Sequence, residues 1–179
     1  MRGLRVVWRP EVFGSLIGAI GASVFMFGSR GAMTEPWPSA TLGLWVVAIL
    51  TYTWAVFVRS RTFPMPQGPR SRAGLIYLAS VVGMLLTIAG GSAILRGLGH
   101  RDIVVALVAI AVGLHFLPFA SAFRAPVFAV LGTVVAGIGL AGLVIGWFAP
   151  TVAVVAAVAA GLSMLAIMIV DTQQGRSRR

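Results

Sequence analysis

The fold of this chain is decided by residues 126–147, PVFAVLGTVVAGIGLAGLVIGW, a stretch without a charged side chain. As a helix, it is long enough to cross about 30 Å of hydrocarbon. Gly132, Gly139 and Gly146 recur every seven residues, so they lie on one face of that helix. A face without side chains lets a second helix approach closely. The stretch therefore predicts a membrane-spanning helix with a glycine seam.

The composition of the whole chain agrees with a lipid environment. Of its 179 residues, 59% are hydrophobic and only 10% are charged, and the mean hydropathy is +0.98. A soluble domain is about 25% charged, and a chain of this size cannot hide so much apolar surface from water. A β-barrel would need strands that alternate polar and apolar residues, and this sequence lacks them. We therefore expect an all-α, polytopic membrane helix bundle.

Six transmembrane helices are predicted, arranged as three hairpin repeats within a single integral membrane domain, 1–179. The spans are expected at about 11–28, 39–58, 73–95, 102–122, 126–147 and 150–170. The corresponding hairpins are about 11–58, 73–122 and 126–170. A cytoplasmic linker rich in proline and arginine is predicted at about 59–72, and a disordered basic tail at about 172–179.

Glycines spaced by seven residues occur in the first helix of every hairpin, which favours a hairpin unit that is repeated three times. In lipid, close contact across small residues holds helices together, because burying leucine gains little there. The pattern is compatible with a pseudo-threefold axis normal to the membrane. The predicted helix-packing seams contain Gly14, Gly18, Gly21, Gly28, Gly83, Gly90, Gly97, Gly132, Gly139, Gly142 and Gly146.

The charge distribution predicts the orientation of the bundle. The net charge is +10, and all 14 basic residues are arginines. With six spans, eleven arginines fall on the side of the two termini, and Arg30, Arg96 and Arg101 fall on the other. Such an excess marks the cytoplasmic side, so both termini are expected in the cytoplasm of a bacterial inner membrane. The arginines are expected to meet anionic lipid headgroups, and no nucleic-acid partner is expected.

His115 is the one titratable side chain predicted to lie within the hydrocarbon. Pro118 follows three residues later and cannot donate a hydrogen bond to the carbonyl of Leu114. The imidazole ring of His115 and the unpaired carbonyl of Leu114 are therefore expected at the same depth in the membrane. The second helix of each hairpin contains a Gly-Leu pair, and aligning the hairpins on this pair makes Trp45, His115 and Ser163 equivalent. His115, Pro118 and Ser163 form the candidate polar site. The site is either part of a solute or proton pathway or a histidine hydrogen-bonded to a neighbouring helix.

Enzymatic activity is not expected. The four acids, Glu11, Glu35, Asp102 and Asp171, are placed at helix ends or in loops, so no paired carboxylates or nucleophile with a base are predicted. Cysteine is absent and the two histidines stand apart, which leaves no set of metal ligands. The run GIGLAG at 137–142 matches a dinucleotide fingerprint but lies inside an apolar span. No catalytic residue, metal or cofactor is predicted.

The three glycine-rich hairpins, the chain length and the turn spacing resemble those of HdeD-like six-span bacterial membrane proteins, which are linked to acid resistance. The resemblance covers most of the chain, rests on glycine spacing and carries over no functional residue. This sequence departs from the family in its second hairpin. The turn Gly97-Leu98-Gly99-His100-Arg101-Asp102 has no proline, and the run GLHFLP at 113–118 is not a feature of that family.

Two functions are compatible with the sequence. One is a non-enzymatic packing, assembly or membrane-stress module that associates with itself or with another membrane protein. The other is a small permease or channel for a small neutral or hydrophobic solute or for protons, with His115 in its pathway. A water-filled centre shared by His115, Ser163 and Trp45 would favour the permease, and a dry, close-packed centre would favour the module.

Overall fold

The structure is a computed structural model that describes residues 10–58 and 71–177, with side chains from 16 to 58 and from 71 to 171. All regular structure in these ranges is helical, as predicted. The predicted linker lies outside them except for its last two residues, as do residues 178 and 179. The helices are α1 (Pro10–Arg30), α2 (Trp37–Thr53), α3 (Ala73–Gly97), α4 (Val104–Ala122), α5 (Val127–Gly146) and α6 (Pro150–Ser177).

Five helical segments are long and apolar enough to cross a membrane. They are α2 with the π-turn Trp54–Val58 that continues it, α3, α4 with the 3₁₀ turn Arg101–Ile103 that precedes it, α5, and α6 as far as Asp171. The part of α1 with described side chains, Leu16–Arg30, is apolar but shorter. These lengths and compositions are those of a membrane-embedded protein.

The last helix extends beyond the predicted span of about 150–170 and is described as far as Ser177. Gln173 and Gln174 are good helix formers, so the helix propagates beyond the apolar span without a break.

The central helix of the bundle is α6. It packs against α1, α2, α4 and α5, and three of its alanines, Ala153, Ala157 and Ala160, are wholly buried. The most extensive helix pair is α4 with α5, whereas α3 packs mainly on α4. The helices α1 and α2 contact α6 more than they contact each other. The first predicted hairpin is therefore held together largely through α6.

Glycines on both helices bring the backbones of α4 and α5 into direct contact. A Cβ atom built on Gly139 would lie 2.7 Å from the backbone nitrogen of Ile110. One built on Gly132 would lie 2.7 Å from the carbonyl oxygen of Gly113, and one built on Gly113 would overlap the backbone of Ala136. Because rotation of a side chain cannot relieve a clash with backbone, only glycine is compatible with this spacing.

Small residues also form the contact between α5 and α6. A Cβ built on Gly142 would overlap the side chain of Ala156. A Cβ built on Gly146 would lie 3.0 Å from Cβ of Ala153 and 3.2 Å from Cγ2 of Ile103. The four glycines predicted as the α5 seam therefore all lie in tight contacts, shared between α4 and α6.

The contact of α1 with α6 is less uniform. A Cβ built on Gly161 would lie 2.8 Å from the carbonyl oxygen of Ala22, which is again a contact with backbone. Gly18 and Gly21 face the ends of methionine side chains of α6 instead, and methionine adapts readily to a change in its surroundings. Gly14 lies outside the residues whose surroundings are described.

The glycine series of α3 faces away from the bundle. Apart from the helix's own backbone, no atom lies within 4 Å of a Cβ built on Gly83, Gly90 or Gly97, and Gly28 of α1 is similarly open. Gly91, which follows Gly90 in α3, faces α4 instead. A Cβ built on it would clash with the side chain of Leu107. The three glycine series therefore occupy three different environments in the bundle.

We predict that Gly139→Leu destabilises the protein by about 3 kcal/mol or more, the upper end for overpacking, because the new side chain meets the backbone of α4. The matched control is Gly90→Leu, which adds the same side chain to an open helix face and should change stability little. Thermal unfolding in detergent followed by size-exclusion chromatography measures both. Equal midpoints for the two variants would contradict the assigned packing.

Candidate functional site

Hydrogen bonds do not join the polar residues that the hairpin alignment makes equivalent. Nδ1 of the His115 ring is hydrogen-bonded to the carbonyl oxygen of Val112 on its own helix. The Ser163 hydroxyl donates to the carbonyl oxygen of Ala160 at 2.8 Å, also within one helix. Nε1 of Trp45 donates to Oγ of Ser23 on α1 at 3.1 Å. Each group has its own local partner.

The His115 ring belongs to an aromatic cluster. Its centroid lies 4.2 Å from that of Phe116, and its plane meets that of Phe119 edge-on at 5.3 Å. Tyr77 of α3 stacks on Phe119 at 5.3 Å, and Phe128 of α5 lies parallel to Phe116 at 6.1 Å. The cluster therefore connects α3, α4 and the start of α5. The ring bonds Val112 of its own helix rather than the neighbouring helix that the sequence suggests.

The contact between helices at this depth uses the backbone of His115. Oγ of Ser80 on α3 donates to the carbonyl oxygen of His115 at 2.7 Å. Pro118 lies inside α4 and removes the donor for the carbonyl of Leu114. The acceptor of the Ser80 bond is the next carbonyl along the chain. The Ser121 hydroxyl donates to the carbonyl oxygen of Pro118 at 3.0 Å. A serine in a helix can also bond back to its own helix, and no sequence signal reveals the contact of Ser80 with α4.

Four further hydroxyl groups in the spans bond within their own helices. Such bonds satisfy the hydroxyl without a partner helix or a water molecule. The donor and acceptor pairs are Ser23 with Ala19, Thr51 with Val47, Thr53 with Ile49, and Thr87 with Gly83, at 2.7–2.8 Å.

The centre of the bundle is filled with side chains. Ala109 of α4, Val135 of α5, and Ala157 and Leu165 of α6 have no exposed surface and belong to one hydrophobic cluster. The glycines of α5 allow these helices to approach until small side chains fill the remaining space. Where α4, α5 and α6 meet, the side chains are close-packed and have no accessible surface.

An open groove lies between α1 and α2, and we call it the α1–α2 groove. Its volume is about 440 Å³, and apolar side chains form nearly all of its surface. It is lined on α1 by Leu16, Ala19, Ile20, Ser23, Val24 and Phe27, and on α2 and its π-turn by Trp45, Ile49, Tyr52, Thr53 and Phe57. His115 and Ser163 are not among its lining residues.

The polar residues of the turn between α3 and α4 do not form a metal site. Within residues 16–58 and 71–171, no three His, Asp or Glu side chains are grouped as a metal would require. His100 instead stacks on Trp147, with ring centroids 4.0 Å apart. This contact joins the α3–α4 turn to the α5–α6 turn. Gly99, next to His100, adopts a left-handed conformation (φ 82°) that favours glycine.

No family model, curated protein or solved structure matches this chain at a significant level. The resemblance to HdeD-like proteins stays a prediction from glycine spacing and turn lengths.

We predict that Ser80→Ala lowers stability by about 0.5–1.7 kcal/mol, the range measured for hydrogen bonds between membrane helices, because it removes the bond to the carbonyl of His115. Thr87→Ala is the control, since its hydroxyl bonds only to Gly83 of the same helix. Unfolding midpoints in one detergent compare the two variants. A smaller loss for Ser80→Ala than for Thr87→Ala would show that the bond between α3 and α4 contributes nothing.

Proposed function

We propose that this chain is a non-enzymatic packing and assembly module of a bacterial inner membrane, which stabilises a membrane partner or takes part in the response to membrane stress. In this proposal, all six helices span the bilayer. The three glycine-containing hairpins descend from one ancestral hairpin, although α3 now exposes its series.

The close-packed centre of the bundle is the observation that carries this proposal. Ala109, Val135, Ala157 and Leu165 fill the place where a central pathway would run. The histidine ring is hydrogen-bonded to its own helix, and the hydroxyl groups of Ser80, Thr87 and Ser163 bond to carbonyl oxygens of the protein. A polar solute would find few free hydrogen-bonding groups there, whereas a tightly packed bundle suits a structural role.

The arginine distribution supports the orientation that we propose. Eleven of the 14 arginines lie before the first span, between spans two and three, between spans four and five, or after the last span. If this side is cytoplasmic, both termini are cytoplasmic and the arginines contact anionic headgroups.

A permease for a small neutral or hydrophobic solute is the second candidate, and the α1–α2 groove favours it. The groove is apolar and open to the side of the bundle. It does not include His115, so a solute path along it would differ from the proton or solute path centred on that residue.

We predict that the protein conducts no protons in liposomes, and that His115→Ala reduces stability rather than flux. Loss of the ring from the aromatic cluster should cost about 1–3 kcal/mol. An internal pH-sensitive dye and an imposed potassium diffusion potential measure the flux, with protein-free liposomes as reference. Ser163→Ala is the control for stability, because it removes only a bond within one helix. A flux above the reference that His115→Ala abolishes would favour the permease.

Complementation of a deletion strain under acid, antimicrobial and osmotic challenge tests the proposed role in cells. If packing is the basis of the function, Gly139→Leu should lose complementation and Gly90→Leu should retain it. Full complementation by an unstable Gly139→Leu protein would contradict the proposal.

A further inference from the structure

We propose that the stack of His100 on Trp147 is a pH-sensitive contact, in which protonation of the histidine binds the turn between α3 and α4 more tightly to the turn between α5 and α6. This contact adds a response to pH to the packing role proposed above. It does not depend on which side of the membrane the two turns face.

The backbone at the end of α3 holds His100 in place. The backbone nitrogen of His100 donates to the carbonyl oxygen of Leu95 at 2.8 Å, and that of Gly99 donates to the carbonyl oxygen of Arg96 at 3.1 Å. Together with the left-handed conformation of Gly99, these two bonds form a Schellman motif, which satisfies the last carbonyls of a helix. His100 therefore has a defined position just beyond the end of α3.

Trp147 has an equally defined position at the end of α5. Its backbone nitrogen donates to the carbonyl oxygen of Leu143 at 3.1 Å, which continues the helical bonding beyond Gly146. A Cβ built on Gly146 would lie 3.2 Å from Cγ2 of Ile103 and 3.0 Å from Cβ of Ala153. Both of these residues are buried in one apolar cluster. The stack therefore joins two turns that already pack on the same cluster.

The geometry of the two rings suits a cation. Their centroids lie 4.0 Å apart and their planes meet at 29°, so the imidazole of His100 lies over the face of the Trp147 indole. That face carries negative charge density and attracts a cation within about 6 Å of its centre. Histidine changes its charge between about pH 5 and pH 8. Since neither side chain is buried, water can deliver the proton, and protonation converts a neutral stack into a stronger cation–π contact.

The charged neighbours of His100 in the sequence do not decide the sign of the effect. Arg96, Arg101 and Asp102 are exposed, so water and salt screen them. They are also close to His100 in the unfolded chain, because they are at most four residues away. The charges of these three residues therefore change the protonation of the folded and unfolded states in similar ways.

The other elements packed against this turn bring no further charge. They are α5 and α6, and the sequence has no charged or titratable side chain between Arg124 and Asp171. The other titratable groups of α3 and α4, Tyr77 and His115, are roughly three helical turns or more away. Folding thus adds the contact with Trp147, which favours the protonated ring. The stability that this contact contributes is greatest at acidic pH and falls as the pH rises.

The test is thermal unfolding in one detergent at about pH 5.5 and about pH 7.5, within the range where histidine changes charge. His100→Phe keeps an aromatic ring on Trp147 but cannot take up a proton. The change in unfolding midpoint on acidification should be about 1–4 °C more positive in the wild type than in His100→Phe. Trp147→Leu retains His100 and its charged neighbours, and its response should equal that of His100→Phe. Trp37→Leu removes an exposed tryptophan of α2 and should keep the wild-type response.

A second measurement leaves Trp147 in place. In protein labelled with ¹⁵N at tryptophan, the indole signal of Trp147 should move between the two pH values in the wild type and should stay fixed in His100→Phe. A fixed signal in the wild type would overturn the proposal. Equal unfolding responses of the wild type and His100→Phe would also overturn it, as would a wild-type response that persists in Trp147→Leu.

Discussion

The architecture depends on direct contact between the backbones of α4 and α5. Gly139 lies against the backbone around Ile110, while Gly113 and Gly132 remove the side chains that would separate the helices elsewhere. In lipid, dispersion forces across such contacts replace the hydrophobic effect as the main source of helix association. Close approach of these two helices then fixes where α6 can lie. Its alanines fill the space beside α5, and α6 in turn supports α1 and α2.

Hydrogen bonds between helices add to the packing of the peripheral helices. The Ser80 hydroxyl bonds α3 to the carbonyl of His115 beside the proline in α4, and the Trp45 indole bonds α2 to Ser23 of α1. Each bond is worth little on its own. They join α3 to α4 and α2 to α1 at defined positions along the helices. The interior is close-packed, whereas the α1–α2 groove and one face of α3 are open.

The helices could be predicted from the sequence, because unbroken apolar stretches and the need to satisfy backbone groups in lipid leave few alternatives. The packing partners could not. A spacing of seven residues predicts which glycines share a helix face, but it does not predict whether another helix covers that face. Gly132 and Gly139 are covered and Gly83 and Gly90 are not, although both pairs have the same spacing. In α3 the contact uses Gly91, one residue from the predicted series. The candidate polar site was predictable only as a position. The intramembrane depth of His115 follows from the spans, but its bond to Val112 and the role of Ser80 depend on the rotation of α3 and α4.

Magic-angle-spinning NMR in phospholipid bilayers tests the contact between α4 and α5 most directly. In protein labelled with ¹³C at glycine and isoleucine, the account predicts a through-space cross-peak between Gly139 and Ile110. It predicts no cross-peak from Gly90 to an isoleucine of another helix. Absence of the first cross-peak from a spectrum that resolves contacts within helices, or a contact between Gly90 and another helix in its place, would contradict it.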